Sequence, residues 1–234
     1  MGDKHLSTQF DSELRILSGK MMELGGLVEA QVRQAVGGLT RAEAPAGEDV
    51  LAIEIRVNAM EVDIDRDIAN VIARRQPIAR DLRLLMGISK ATANLERVGD
   101  EAVKIARILR SMPLPEPGCC VLPSPEVQQE AHLALGLLRK ALDAFARLDI
   151  ASAVAILEED AAIDREFDAL MRSLVTCMTQ NPTVVPSGLD LLFVAKAIER
   201  VGDHAKNVAE LVIYIVKGAD VRHTPFDRVR SAMR

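Results

Sequence analysis

Leu95-Glu-Arg-Val-Gly-Asp100-Glu-Ala-Val-Lys-Ile-Ala-Arg-Ile-Leu109 aligns without a gap on Ile198-Glu-Arg-Val-Gly-Asp203-His-Ala-Lys-Asn-Val-Ala-Glu-Leu-Val212. Seven of the fifteen positions are identical, among them the whole Glu-Arg-Val-Gly-Asp pentapeptide. Two unrelated amphipathic helices would share an apolar period, but not five consecutive residues that include a glycine. The chain is therefore read as an internal duplication, with this stretch as the repeated unit.

Outward from the repeat, helix breakers divide the rest. Helical spacing runs from Leu6 to about Arg41, from Glu48 to Arg74 and from Arg80 to about Arg110. Met112–Pro125 then holds five prolines in fourteen residues, which reads as a linker because proline removes a helical donor and clashes with the preceding turn. The pattern resumes from Glu126 to Leu148, from Ile150 to Gln180, and from Pro186 to about Lys217. The expected fold is all-α: a first three-helix bundle over 1–111, the linker 112–125, a second bundle over 126–217, and a short, basic, loosely held tail over 218–234.

Composition agrees. Of 234 residues, 49% are hydrophobic but only 3% aromatic, with no Trp, so the core must be aliphatic, and helix formers outweigh strand formers. The net charge of −5 argues against a nucleic-acid binder that relies on a basic surface, and the scarcity of rings argues against base stacking. No apolar run is long enough to insert in a membrane, and the N-terminus lacks the apolar centre of a secretory signal. A cytoplasmic protein is expected. Cys119, Cys120 and Cys177 suggest neither a disulfide framework nor a zinc ligand set.

The repeated helices carry apolar seams: Leu84, Ile88, Ala91, Leu95, Val98, Ala102, Ile105 and Leu109 in one, and Leu191, Ala195, Ile198, Val201, Ala205, Val208 and Val212 in the other. Beside each seam two acids four residues apart share a face, Glu96 with Asp100 and Glu199 with Asp203. The preceding helices carry Glu61 with Asp65 and Asp160 with Asp164. Counting from the prolines at each turn, at ~1.5 Å per residue, brings the facing acids level within about one turn. Four gathered carboxylates repel unless a raised pKa, a basic partner or a cation relieves them. Hard oxygen ligands suit magnesium, calcium, manganese or iron, so one reading is a metal site per bundle. The other is a solvated polar face whose charges pair along the helix.

Arg97 and Arg200 either compensate the acids or cover the helix edge with their stems. Gly99 and Gly202 each cost ~1 kcal/mol inside a helix, which implies close approach of a neighbouring helix or an ion. Asn58 and Asn207 are possible further oxygen ligands or plain surface residues. His204 is expected to be solvent-exposed. None of the four histidines follows a Glu at the spacing of di-metal carboxylate enzymes, and glycine-rich phosphate loops and nucleophile elbows are absent from the sequence.

At these residues the chain resembles the PhoU family of bacterial phosphate-signalling regulators. The likeness rests on Met60–Asp65, Arg74–Arg83, Leu95–Asp100, Asp143–Arg147, Ala197–Asp203 and Tyr214–His223, and above all on the paired Glu-Arg-hydrophobic-Gly-Asp motifs. The resemblance implies two tandem three-helix bundles and metal ions (magnesium, manganese, iron, zinc or nickel) held by Glu61, Asp65, Glu96 and Asp100 in one half and Asp160, Asp164, Glu199 and Asp203 in the other. It implies a non-catalytic negative regulator of phosphate uptake and of the phosphate-starvation response, an adaptor between the ATPase of the phosphate ABC transporter and a sensor histidine kinase, often as a homodimer. The alternative is a metal-free helical adaptor whose acidic faces meet basic partner surfaces. Cys119, Cys120 and the proline-dense linker have no counterpart in the family pattern.

Overall fold

In a computed structural model, which describes residues 8–39, 47–113, 121, 124–222, 224 and 226–232, the chain is helical throughout its regular structure. The helices are α1 (Thr8–Gly37), α2 (Gly47–Arg75), α3 (Ala79–Ser111), α4 (Pro125–Arg147), α5 (Ile150–Gln180), α6 (Val185–Lys217) and α7 (Phe226–Ala232), with a 3₁₀ turn over Pro182–Val184 between α5 and α6. Most of the Pro-rich linker, with Cys119 and Cys120, lies outside the described residues. Cys177, buried near the end of α5, is disulfide-bonded, which the cysteine count did not anticipate.

Local chemistry sets the ends. Asn181 accepts from Thr183 N at 3.2 Å and opens the turn that Pro182 begins. Asp149 caps α5 by accepting from Ala151 N at 3.0 Å and Ser152 N at 3.3 Å. Those bonds, led by the one from the Ser152 hydroxyl, hold its carboxyl below the usual range. The contribution is present above the ordinary aspartate pKa and fades as pH falls through the depressed value. Asp149→Ala should accordingly lower the melting temperature at neutral pH, with the difference from wild type shrinking in an acid titration followed by circular dichroism. Gly218 closes α6 at φ +74°, in the left-handed region, and its N–H bonds Tyr214 O.

The seams become the core. Ile88, Ala91, Leu95, Ala102 and Ile105 of α3, and Leu191, Ala195, Ala205 and Val212 of α6, have no exposed surface. Helices α1, α2 and α3 pack on one another, as do α4, α5 and α6. The most extensive helix contact joins the two bundles through the duplicated helices, α3 against α6, and α1 also touches α4. Close approach at this joint needs small residues: a Cβ on Gly87 would fall 2.5 Å from Ile215 Cδ1, and one on Gly25 2.5 Å from Leu142 Cδ2. The tail is not wholly loose, because α7 packs against α5 and buries Val229. No described helix is long and apolar enough to cross a membrane.

Candidate functional site

The acids do gather, and the two halves treat them differently. In the first half, Glu61 on α2 and Glu96 on α3 are partly buried while Asp65 and Asp100 are exposed. Burial, then the charges of Asp65 and Asp100, pushes the Glu61 carboxyl up; burial, then Asp100, Glu61 and Glu54, does the same to Glu96. Arg97 opposes both shifts from a distance. Among the described residues the only side-chain hydrogen bond to this quartet comes from Ser89 Oγ, which donates to Asp65 Oδ1 at 2.7 Å. These acids thus form one coupled, negatively charged face across α2 and α3.

In the second half lysines have moved in. Lys206 Nζ lies 2.7 Å from Oδ2 of Asp160, which is only 6% exposed. Lys196 pairs with Glu199 one turn away and sits 5.2 Å from the centre of the Phe167 ring. Burial followed by neighbouring carboxylates still raises Asp164 and Asp203, but Lys206 pulls both the other way. In the duplicate, Ala93 and Val103 occupy the positions of Lys196 and Lys206. The first half therefore keeps its negative field and the second neutralises it internally.

The metal reading is overturned. Among the described residues no three or more His, Cys, Asp or Glu side chains come together to hold a metal ion, so neither two metal sites, whether of magnesium, calcium, manganese, iron, zinc or nickel, nor a metal-dependent adaptor is supported. The physical reason differs by half. Lysine ammonium groups occupy the cation's place beside Asp160 and Glu199. In the first half Ser89 holds Asp65, and no three of the acids converge closely enough to share an ion. Arginine takes another route: Arg200 bonds Glu101 across the joint at 3.0 Å and acts on its own motif's acids, Glu199 and Asp203, only through its charge.

Both motif glycines serve close packing. A Cβ on Gly99 would lie 3.0 Å from Gln31 Oε1 and from Glu54 Oε2, and one on Gly202 would lie 2.6 Å from Ile163 Cδ1. Gln31, fully buried, donates from Nε2 to Glu54 Oε2 at 2.8 Å and to Val50 O at 3.2 Å, which ties α1 to α2 beneath the acidic face. Asn58 is exposed, whereas Asn207 donates to Asn94 Oδ1 at 3.1 Å.

Two features, His204 and Glu130, escaped the sequence reading. His204 is not solvent-exposed but half-buried, with Nδ1 3.1 Å from Asn94 Oδ1 across the α3–α6 joint. Lys196 pairs with Glu199 along the helix, as the reading of a self-pairing polar face expects, whereas Lys206 reaches across to Asp160 on α5. Glu130 on α4 has no exposed surface and neither carboxylate oxygen has a hydrogen-bond partner among the described residues; burial, then Glu199 and Glu166, pushes its carboxyl up to about 9. It occupies a position that reads as one polar residue within an amphipathic helix, and gives no signal in the sequence.

Comparisons with known proteins place this geometry in a family. The PhoU domain matches residues 21–109 and again 127–212. Over 95% of each chain, the sequence is 46% identical to a phosphate-specific transport system accessory protein PhoU homolog of a Burkholderia species. It is 39% identical to the accessory protein PhoU of Escherichia coli, over 97% of this chain and 93% of that one. The crystal structure of PhoU from Pseudomonas aeruginosa superimposes with a TM-score of 0.81 at 38% identity, covering 90% of this chain and all of that one. The phosphate transport system regulatory protein PhoU from Streptococcus pneumoniae gives 0.83 at 25% identity, over 91% and 99%.

Proposed function

We propose, from a chain that belongs to the PhoU family, that it is a metal-free helical adaptor and negative regulator of phosphate uptake and the phosphate-starvation response. Its curated relatives carry the name of transport-system accessory proteins, which fits a regulator and not a catalyst. The observation that carries the reading is the uncompensated carboxylate face of the first half, Glu61, Asp65, Glu96 and Asp100. Gathered acids, of which Glu61 and Glu96 have pKa values raised by burial and by neighbouring carboxylates, gain from any cationic group that approaches, and a basic partner surface supplies such groups at long range. The partners assigned to this face are basic surfaces of the phosphate transporter's cytoplasmic ATPase and of the sensor histidine kinase.

The test neutralises the face without unfolding it. Replacing the four acids by Gln or Asn at the same shape removes mutual repulsion, so the helices should be at least as stable. In a deletion strain complemented with the quadruple variant, a phosphate-starvation reporter should be derepressed in high phosphate, and association with the ATPase should weaken and lose its salt dependence. The matching substitutions at Asp160, Asp164, Glu199 and Asp203 should act less, because their charges are already met by lysine. Full repression by a well-folded first-half variant would overturn the assignment of this face.

A further inference from the structure

The groove where α3 meets α6 encloses about 1030 Å³ and is lined by polar groups from both helices. The duplication supplies an internal comparison for it. Position by position, Arg97 corresponds to Arg200, and Glu101 to His204. In one corner Arg200 Nη1 donates to Glu101 Oε1 at 3.0 Å, and Lys104 approaches the same carboxylate at 3.3 Å. In the other corner the acid has been replaced by His204. Arg97 makes no hydrogen bond or ion pair with any described residue.

The groups around Arg97 are fixed by hydrogen bonds to one another. Asn94 Nδ2 donates to Lys90 O at 2.8 Å, so its Oδ1 accepts, from Asn207 Nδ2 at 3.1 Å and from His204 Nδ1 at 3.1 Å. That network assigns the ring proton to Nδ1. Lys90, also on the groove, lies 5.3 Å from the centre of the Tyr214 ring and makes no ion pair among the described residues. The remaining cations are occupied: Arg200 by Glu101, Lys206 by Asp160 and Arg222 by Asp220.

We propose that the corner of the groove where Arg97 and Lys90 stand beside His204 binds an oxyanion, a carboxylate or phosphate group on a small polar molecule, held by the two cations and taking at Arg97 the place that Glu101 takes at Arg200. The planar guanidinium suits a two-pronged contact with either group. Asp100, Asp203 and Glu210 also line the groove, so a polyanion is repelled and a single anionic head with a neutral body is favoured. The volume leaves room for that body.

The experiment is calorimetric titration of the full chain at low salt with inorganic phosphate, glycerol 3-phosphate and lactate. These probes separate a free ion, a phosphate on a carrier and a carboxylate. At least one should bind, the tightest identifying the source. Arg97→Gln should weaken it tenfold or more. His204→Glu, which restores the acid of the other corner, should do the same although Arg97 is intact. His204→Gln should bind within about threefold of wild type, with circular dichroism verifying that all three variants are folded. No binding by any probe up to about 10 mM, where even a ~1 mM site would be filled, overturns the proposal. Binding that survives both Arg97→Gln and His204→Glu overturns it equally.

Discussion

Replacing Glu130 by Met should raise the stability of the protein at pH 7 by about 3 kcal/mol and its melting temperature by about 6–12 °C. The carboxyl is fully enclosed, its oxygens find no donor among the described residues, and burial pushes its pKa from an ordinary 4.5 up to about 9. The folded protein therefore holds a proton that the unfolded chain releases above its own pKa. With more protons bound in the folded state, stability falls as pH rises, by about 1.4 kcal/mol per unit between the two values. Folding at pH 7 thus carries the work of protonating this acid, ~2.5 units at ~1.36 kcal/mol each. Met matches the unbranched shape and removes that burden. Urea denaturation of both proteins from pH 5 to 9 should show a declining curve for wild type and a flatter one for the variant. A destabilised variant with an unchanged slope would mean that the acid is ionised and paired.

Leu95→Ala should act in the opposite direction, at a loss of about 3 kcal/mol within the 2–5 kcal/mol range for such truncations. Leu95 has no exposed surface, and its helix is engaged on both sides, by α1 and α2 within its bundle and by α6 across the joint. Neighbouring helices have little freedom to collapse into the space. Ile198, its counterpart in the repeat and 1% exposed, should give a comparable loss when cut to Ala. Equilibrium unfolding in urea measures both; a loss under about 1 kcal/mol at either site would mean that the joint relaxes to fill the hole.

The helices were legible because each rests on signals local to the chain: proline at the turns, an apolar period along α3 and α6, a pentapeptide used twice. The level placement of Glu61 with Glu96 followed from rise per residue alone. What the sequence could not disclose was the occupancy of the space between the carboxylates. Lys206 reaches Asp160 across 46 residues of chain, and Arg200 reaches Glu101 across 99. Acid spacing marks where a cation belongs and not which one fills it, so the metal expectation failed where a lysine was waiting. Glu130 was invisible for a related reason: its enclosure depends on how α4 sits on α5 and α6, which no residue near it in sequence encodes.

The lysines at 196 and 206 break the equivalence that copying a bundle creates. A molecule with two matching ends would let a visitor land either way round, and half of all arrivals would be backwards. By silencing one end, the chain acquires a head and a foot, and whatever docks on it arrives in a single orientation.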